Sequence, residues 1–329
     1  AIVRFGIGYA PSTGEELLRR LVAIGIIEEL IVQAGLAIRG DDRPARDMFR
    51  GRLMFPLRDP DGLVMGFAGR SLDGSAPKYI NTAQSPVFNK GEMLYAMDRA
   101  KEAIAAEGTA VVVEGYMDAI AAHQAGFKNV VAQMGTALTE FQVDEIRRLT
   151  GKMTMALDQD AAGQNATLRS LDLVLRNFRT KVVNRPGPDG STQMEDSDPR
   201  VITMPPGEDP DEVIRRSPSD WTNLVESSIP AITFRIDAIT RQNDVSTPED
   251  KAKCVAEAAP FIHLLGGGIQ QANAVELLAN NLAVPIDTVK AALSRPSVVR
   301  RTRRPDQPRP AIATSSPFAK LDHDPIEEH

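Results

Sequence analysis

The sequence predicts an α/β fold, a mostly parallel sheet with flanking helices, preceded by a mixed α+β segment and followed by a small all-α segment. Three observations predict it. Short apolar runs at Ala110–Val113, Asn129–Ala132, Met153–Leu157 and Val201–Met204 alternate with stretches of helical periodicity, the pattern of buried parallel strands and their crossovers. Two of these runs end abruptly in acid, Glu114 after the first and Asp158 and Asp160 after the third. Those carboxylates therefore fall at the carboxyl ends of strands, where open parallel sheets bind their ligands. From Trp221 to about Leu293 the apolar spacing is helical throughout.

Along the chain, Ile2–Tyr9 reads as a strand, and Pro11-Ser12-Thr13-Gly14 as a turn. Leu17, Leu18, Leu21 and Ile24 share one face of a helix over Glu15–Ile24; a second helix, Glu28–Ala34, stops at Gly35. The charged stretch Arg39–Arg52 reads as a loop. Leu53–Arg58 and Leu63–Arg70 flank Asp59-Pro60-Asp61-Gly62, a hairpin signal. Ser71–Gln84 is a Gly/Pro/Ser loop carrying Lys78, Tyr79 and Asn81, and Asp98–Ala106 is helical. The repeating unit follows: strand Val111–Glu114, helix Met117–Ala125, strand Asn129–Ala132, helix Glu140–Leu149, strand Met153–Leu157, helix Gly163–Phe178. Asn184–Arg200 is polar and rich in Pro and Gly, an excursion or disordered loop. The strand Val201–Met204 meets another acidic turn, PPGEDPDEVI. Ile229, Ile232, Ile236 and then Val275, Leu277, Leu278 and Leu282 mark the helical segment; beyond Ser294 the chain loses periodicity and becomes a linker, basic first and acidic at its end.

Composition limits the function classes. A chain of 329 residues fits about two domains, and 38 Lys plus Arg against 44 Asp plus Glu gives a net charge of −6. That balance argues against a generally basic nucleic-acid binder, though not against a local basic groove. One cysteine excludes a disulfide framework and a Cys-based zinc site within these residues, and four scattered histidines argue against a His-rich metal cluster. No stretch has the length of an apolar membrane span, and no signal peptide precedes the first element, so a soluble, cytoplasmic protein with no membrane partner is expected. The first residue is not Met, and both ends are abrupt, as expected of a fragment of a longer chain.

The acids carry the chemistry. Glu114, followed at once by Gly115, can present its carboxylate at the sheet edge as a metal ligand or general acid/base; it can equally favour the start of the following helix. Asp158-Gln159-Asp160 can turn two carboxylates toward one hard cation, against the alternative that Asp160 caps a helix. Asp209 and Asp211 repeat that spacing after another strand, with helix capping before Glu212 again the alternative. Oxygen donors of this kind suit Mg²⁺ or Mn²⁺.

RFGIGYAP, FRGRLMFPLRD, GFAGRSL, PKYINT, FNKGEMLYAM, VVVEGYMD, the pair Gly135-Thr136, DQDAAG and PGEDPDEVI stand in this order. The glutamate strand and the DxD strand resemble the Toprim domain, and the whole run resembles the RNA-polymerase core of bacterial DnaG-type primases over roughly residues 2–216. The resemblance implies a mixed α/β subdomain with a template groove at 1–106 and a Toprim catalytic domain at 107–216. A helical subdomain at 217–294 and a disordered linker at 295–329 would follow. It implies DNA primase activity: short RNA primers made on single-stranded DNA from ribonucleoside triphosphates, with Mg²⁺ or Mn²⁺ held by Glu114, Asp158, Asp160, Asp209 and Asp211. Arg70, Lys78, Tyr79, Asn81 and Lys90, with Arg4 as a further member, would bind template and nucleotide; zinc and the replicative helicase would be bound by domains outside this chain, and the core would be a monomer. Alone, Arg70, Lys78 and Lys90 read as solvated surface charge, and Gly51, Gly66 and Gly69 as turn or bulge residues. Gln159 stands where the family has Gly, and Pro206 where it has an acidic or polar residue; neither removes a ligand.

Other motifs fare less well. Gly151-Lys152-Met153-Thr154 lacks the upstream glycine and spacing of a P-loop. His123 reads as packed or surface, His263 and Cys254 as structural, and Met134, Met153 and Met155 as core. The rival readings are another Toprim enzyme, a nuclease or topoisomerase, and a non-catalytic DNA-binding replisome scaffold. Product analysis separates the first and metal dependence the second.

Overall fold

The chain does not begin with the expected strand over Ile2–Tyr9. In the computed structural model, which describes residues 1–40, 43–135, 137–157, 164–178, 184–186, 192–194 and 199–294, Ile2–Phe5 is a helical turn (α1) and only Gly8–Ala10 is a strand (β1). Ile2 and Val3 are 68% and 95% exposed, so no sheet face waits for them, and Gly6 at φ 66° takes the left-handed conformation that ends the turn. Helices α2 (Glu16–Ala23) and α3 (Glu28–Gln33) follow as expected. The charged stretch expected as a loop instead pairs as β2 (Ala37–Gly40) and β3 (Arg43–Asp47). The end of β3 secures a helix: the Asp47 carboxylate accepts the backbone N–H groups of Leu17 (2.9 Å) and Leu18 (2.8 Å), capping α2 from across the chain.

The hairpin is β4 (Arg52–Arg58) and β5 (Val64–Ser71), with Asp59 Oδ1 accepting the N–H groups of Asp61 and Leu63. With β6 (Tyr79–Asn81) and β1 they form an antiparallel sheet in the order β1-β4-β5-β6. Gly69 is neither turn nor bulge but a strand residue where a side chain has no room: a Cβ would lie 2.8 Å from Phe49 Cδ1 and 3.0 Å from Arg52 Cδ.

The second sheet is built from α4 (Met97–Glu107), β7 (Ala110–Val113), α5 (Tyr116–Gln124), β8 (Val130–Ala132), α6 (Glu140–Leu149), β9 (Met153–Leu157) and α7 (Gln164–Asn177). Asn184–Arg200, expected as an excursion or disordered loop, contributes a short antiparallel pair, β10 (Asn184–Pro186) and β11 (Thr192–Met194). Then come β12 (Arg200–Thr203), α8 (Pro210–Arg216), α9 (Pro218–Glu226) and β13 (Ile229–Pro230). The order is β13-β12-β9-β7-β8, parallel except for β13. Alternation divides β7 between two cores: Val112 packs with α4, α6 and α7, while Val111 and Val113 pack with α5, α8 and the first sheet. A strand buried on both faces needs the continuous apolar run that its sequence shows. Each such aliphatic side chain contributes about 1.5–3 kcal/mol by leaving water.

Helices α10 (Ala231–Gln242), α11 (Pro248–His263), α12 (Gly268–Leu282) and α13 (Ile286–Leu293) complete the described chain. Ile236, Cys254, Ala258 and Leu278 join the core that holds Val112 and Met155, so this helical segment packs on α7 rather than standing apart. Among the described residues no helix is long and apolar enough to cross a membrane. Met134, Met153 and Met155 are buried as expected; His123 is packed, its Nε2–H donating to the Val130 carbonyl at 2.8 Å with burial lowering its pKa.

One carboxyl in this framework is half-buried, with its Oε2 shut away from solvent and without a hydrogen-bond partner. Burial pushes Glu145 on α6 up to about 7, with Arg148 opposing and Asp59 reinforcing. A raised carboxyl stabilises the fold fully below its ordinary value of 4.5, and that contribution is lost as pH rises through about 7. Glu145→Gln is therefore expected to raise the melting temperature at pH 8 and to change it little at pH 4.5. Equal shifts at both values, read by thermal unfolding, would contradict the burial argument.

Candidate active site

The site is assembled around one turn. The chain leaves β7 at Val113, Glu114 occupies the strand end, and Gly115 begins α5. Glu114 is half-buried, with the Thr167 hydroxyl of α7 3.5 Å from its Oε1. The Gly115 N–H donates to Asp118 Oδ2 at 3.1 Å. A Cβ on Gly115 would lie 2.8 Å from that oxygen, so any larger residue displaces Asp118. The other Asp118 oxygen, Oδ1, accepts the Asp211 N–H at 3.1 Å. Asp118 thus joins the strand-end glutamate to the first turn of α8. Sequence reasoning places it within VVVEGYMD but gives it no role. The signal is its place three residues into a helix that opens on glycine, where a carboxylate meets unpaired N–H groups.

Asp209 stands at the N-cap of α8 and the Glu212 carboxylate faces its N–H at 3.4 Å, so the capping alternative describes its backbone. Asp211 is paired with Arg215 at 2.7 Å, its side chain only 14% exposed. Its carboxyl is raised first by burial; Arg215 opposes this, Asp209 and Glu212 add to it, and Arg70 opposes it. Crowded negative charge of this kind is lowered in energy by a cation, and the donors are the hard oxygens that Mg²⁺ or Mn²⁺ takes. Among the described residues, no group of three or more His, Cys, Asp or Glu is close enough to hold an ion. Asp158 and Asp160, with Gln159, lie outside the described residues, as does Thr136. The strand that leads to the aspartates is described: β9 runs parallel to β7, with Val112 opposite Met155, and ends at Leu157.

Arg70 approaches the same turn from the first sheet. Arg70 and Tyr79 are cross-strand partners, with the Arg70 guanidinium 5.6 Å from the Tyr79 ring centroid. Burial raises the Tyr79 phenol, Arg70 opposes this, and the charges of Asp118 and Asp211 add to it, which places all four in one electrostatic neighbourhood. The Tyr116 hydroxyl, from the first turn of α5, donates to Asn81 Oδ1 at 2.7 Å. Its ring lies 5.5 Å from that of Tyr79, 5.7 Å from Phe55 and 5.0 Å from Tyr95. Tyr116 is the second residue that sequence reasoning passes over, and it locks the two sheets together.

Lys78 is exposed beside Tyr79, and its backbone is held by others: its carbonyl accepts the Ser71 N–H at 2.9 Å. The buried Arg52 guanidinium donates to the Pro77 carbonyl at 3.0 Å. Lys90 lies in a 3₁₀ turn, Lys90–Glu92, tied to the start of α6 by Gln142 and Thr139, and burial lowers its pKa. The start of α6, like that of α5, faces the carboxyl edge of the sheet, so Lys90 shares the edge with Glu114. Arg4 does not. Its exposed guanidinium donates to the His123 carbonyl at the far end of α5, about 10 Å along the helix from Tyr116.

Three family models match the chain. Residues 1–101 match the N-terminal domain of the DNA primase catalytic core, residues 111–198 a Toprim-like domain, and residues 232–286 the DnaB-helicase binding domain of primase. The last match falls within the helical segment, whereas the sequence alone pointed to a helicase contact beyond the chain. A curated DNA primase of Deinococcus radiodurans is 36% identical over 263 residues, which are 79% of this chain and 43% of that protein. The chain thus spans less than half the length of that relative. A crystal structure of a DNA primase domain from Pseudomonas aeruginosa is 30% identical with a TM-score of 0.73, covering 89% of this chain and 88% of that one. A structure of the DnaG primase catalytic domain bound to ssDNA is 32% identical with a TM-score of 0.72, covering 87% and 86%. With the acidic edge meeting the β5–β6 pair that carries Arg70, Tyr79 and Asn81, and with this likeness across both sheets, the chain belongs to the family of DnaG-type primase catalytic cores.

Proposed function

We propose that this chain synthesises short RNA primers on single-stranded DNA from ribonucleoside triphosphates, at the edge where Glu114 meets Asp118 and Asp211. The observation that carries the reading is the Tyr116–Asn81 hydrogen bond, because it ties β6, which would face template and nucleotide, to the turn that follows Glu114. Glu114, Asp158, Asp160, Asp209 and Asp211 would hold the divalent cations. When bound there, Mg²⁺ or Mn²⁺ supplies the positive charge that eases ionisation of the primer 3′-hydroxyl and departure of pyrophosphate. The protein side chains do the rest. Arg70, Lys78 and Lys90 take phosphate oxygens, and the Tyr79 ring offers a face to a base. Asn81 accepts the Tyr116 proton through Oδ1, which leaves its Nδ2 to donate to a sugar or backbone oxygen. Arg4, at the far end of α5, is a template contact at most and not part of the reacting centre.

The reading divides labour within one compact unit, Ala1–Arg295: residues 1–106 would serve the template, 107–216 the chemistry, and 217–294 would back α7 as a helical subdomain. The linker expected at 295–329 lies outside the described residues. The helicase-binding description matched by residues 232–286 supports a contact made by the helical unit itself. The ssDNA-bound relative supports a single-stranded template. A cytoplasmic site of action follows from this role.

The test is incorporation of labelled ribonucleotides on a single-stranded template with Mg²⁺ or Mn²⁺, and again with chelator. Metal-dependent short RNA is expected; template cleavage without synthesis would overturn the assignment in favour of a nuclease. Lys78→Ala is expected to weaken template binding at every sequence and to reduce the salt slope of log K by about 1. An unchanged slope, measured by fluorescence anisotropy from low to moderate salt, would remove Lys78 from the groove.

A further inference from the structure

One buried charge lies outside the site and reaches it through a single helix. Arg235 on α10 is 8% exposed at its side chain. Its Nε donates to Asp172 Oδ1 on α7 at 2.6 Å and its Nη2 to Glu257 Oε1 on α11 at 3.0 Å, with the Phe261 ring 5.1 Å from the guanidinium carbon. Asn243 closes the network, donating to the other Glu257 oxygen at 3.4 Å. Leu171, Val174 and Leu175 of α7 share one apolar cluster with Ile232, Ile236 and Ile239 of α10. Such packing is strong but non-directional, whereas a guanidinium fork on a carboxylate fixes both rotation and axial position. A buried ion pair adds little net stability over apolar packing; its best-attested use is to set register.

What that register controls lies further along α7. Thr167 precedes Asp172 by about 7 Å of helix and lies on another face, with its hydroxyl at Glu114. Between them the Ser170 hydroxyl accepts the Leu138 N–H at 2.9 Å, holding the segment that enters α6. A rigid helix therefore carries any displacement at Asp172 to Glu114. We propose that Arg235 is a positioning residue for the acidic edge, coupling the geometry of Glu114 to the placement of α10 and α11 through α7. This rests on Glu114 being a cation-holding carboxylate. Because Arg235 and Glu257 lie inside residues 232–286, a partner that shifts these helices would alter cation binding at Glu114 without touching it.

The experiment is Mn²⁺ titration of the whole chain, followed by the electron paramagnetic resonance signal of the free ion, beside single-stranded DNA binding. The variants are Glu114→Gln, Arg235→Lys, Thr167→Val and the triple Arg235→Met, Asp172→Leu, Glu257→Met, which removes the buried guanidinium together with both carboxylates that pair with it. The triple variant is expected to bind Mn²⁺ roughly tenfold more weakly with unchanged DNA affinity. Arg235→Lys, which keeps the charge but loses the fork, should fall between, and it decides the question should the triple not fold. Adding Thr167→Val to the triple should cost less than it does alone, because both act through α7. Normal Mn²⁺ affinity in both Arg235 variants, with Glu114→Gln impaired, overturns the coupling alone. Normal affinity in Glu114→Gln overturns the acidic-edge reading and the coupling with it.

Discussion

Glu114→Gln is expected to reduce ribonucleotide incorporation by at least about 10³-fold, to leave single-stranded DNA binding intact and to change the melting temperature little. The substitution keeps the shape of the side chain and removes only its charge. Thr167, whose hydroxyl donates to the carboxylate, can accept from an amide instead, so the local packing survives. Glu114 is half-buried at a strand end and carries no part of either core, which is why stability should not follow activity. On the proposed role, what is lost is a ligand charge beside a triphosphate; several kcal/mol of transition-state stabilisation would go with it, and each 1.36 kcal/mol is about a factor of ten in rate. The β5–β6 pair that carries Arg70, Tyr79 and Asn81 is untouched, so the template should bind as before. Incorporation retained within tenfold of the parent, in Mg²⁺ and in Mn²⁺, would remove Glu114 from the reacting centre.

The separation expected in that experiment follows from features that sequence patterning registers unevenly. The buried strands were legible because a parallel strand covered on both faces must be apolar without interruption; Met153–Leu157 and Glu140–Leu149 have the bounds that periodicity predicts. That helix also opens on a capping box of Thr139 and Gln142, a signal that apolar periodicity does not draw on. Ile2–Tyr9 misled because apolar content was taken for a strand where Gly6 ends a helical turn and Ile2 and Val3 face solvent. Arg39–Arg52 misled in the opposite sense: charge suggested a loop, yet a two-stranded ribbon needs only one buried side, which Ala37, Ala45 and Asp47 supply. At the site, residues with a local signature were found, such as Glu114 at a strand end and Asp209 before Pro210. Asp118 and Tyr116 were passed over because their partners, Asp211 and Asn81, are 93 and 35 residues away. No spacing rule reaches that far. Arg4 shows the converse, a motif residue whose helix places it at the other end of α5.

Asp118 gives the second large effect. Its carboxylate is symmetric in function, one oxygen taking the Gly115 N–H and the other the Asp211 N–H, each at 3.1 Å. Asparagine has one carbonyl oxygen, so Asp118→Asn must turn an amide N–H toward one of two backbone N–H groups. Leaving one such donor unpaired costs about 1–3 kcal/mol of stability. The larger consequence falls on the geometry: freeing either N–H lets Glu114 or Asp211 drift from the other, and a shift of about 1 Å at reacting groups can cost about 10²-fold in rate. A fall in kcat of that order is expected, with the Kd for single-stranded DNA within twofold of the parent. Partial recovery at high Mn²⁺ should follow, because a misplaced ligand weakens cation binding without abolishing it. Asp118→Ala, which removes both acceptors, should be worse in kcat and in melting temperature. If Asp118→Asn instead lowers the melting temperature and leaves kcat and its Mn²⁺ dependence unchanged, the carboxylate serves only to staple α5 to α8. The first turn of α8 would then have to be held to α5 by the apolar cluster that Val213 and Ile214 share with Val113 and Ile120, which tolerates rotation where a two-oxygen bridge does not.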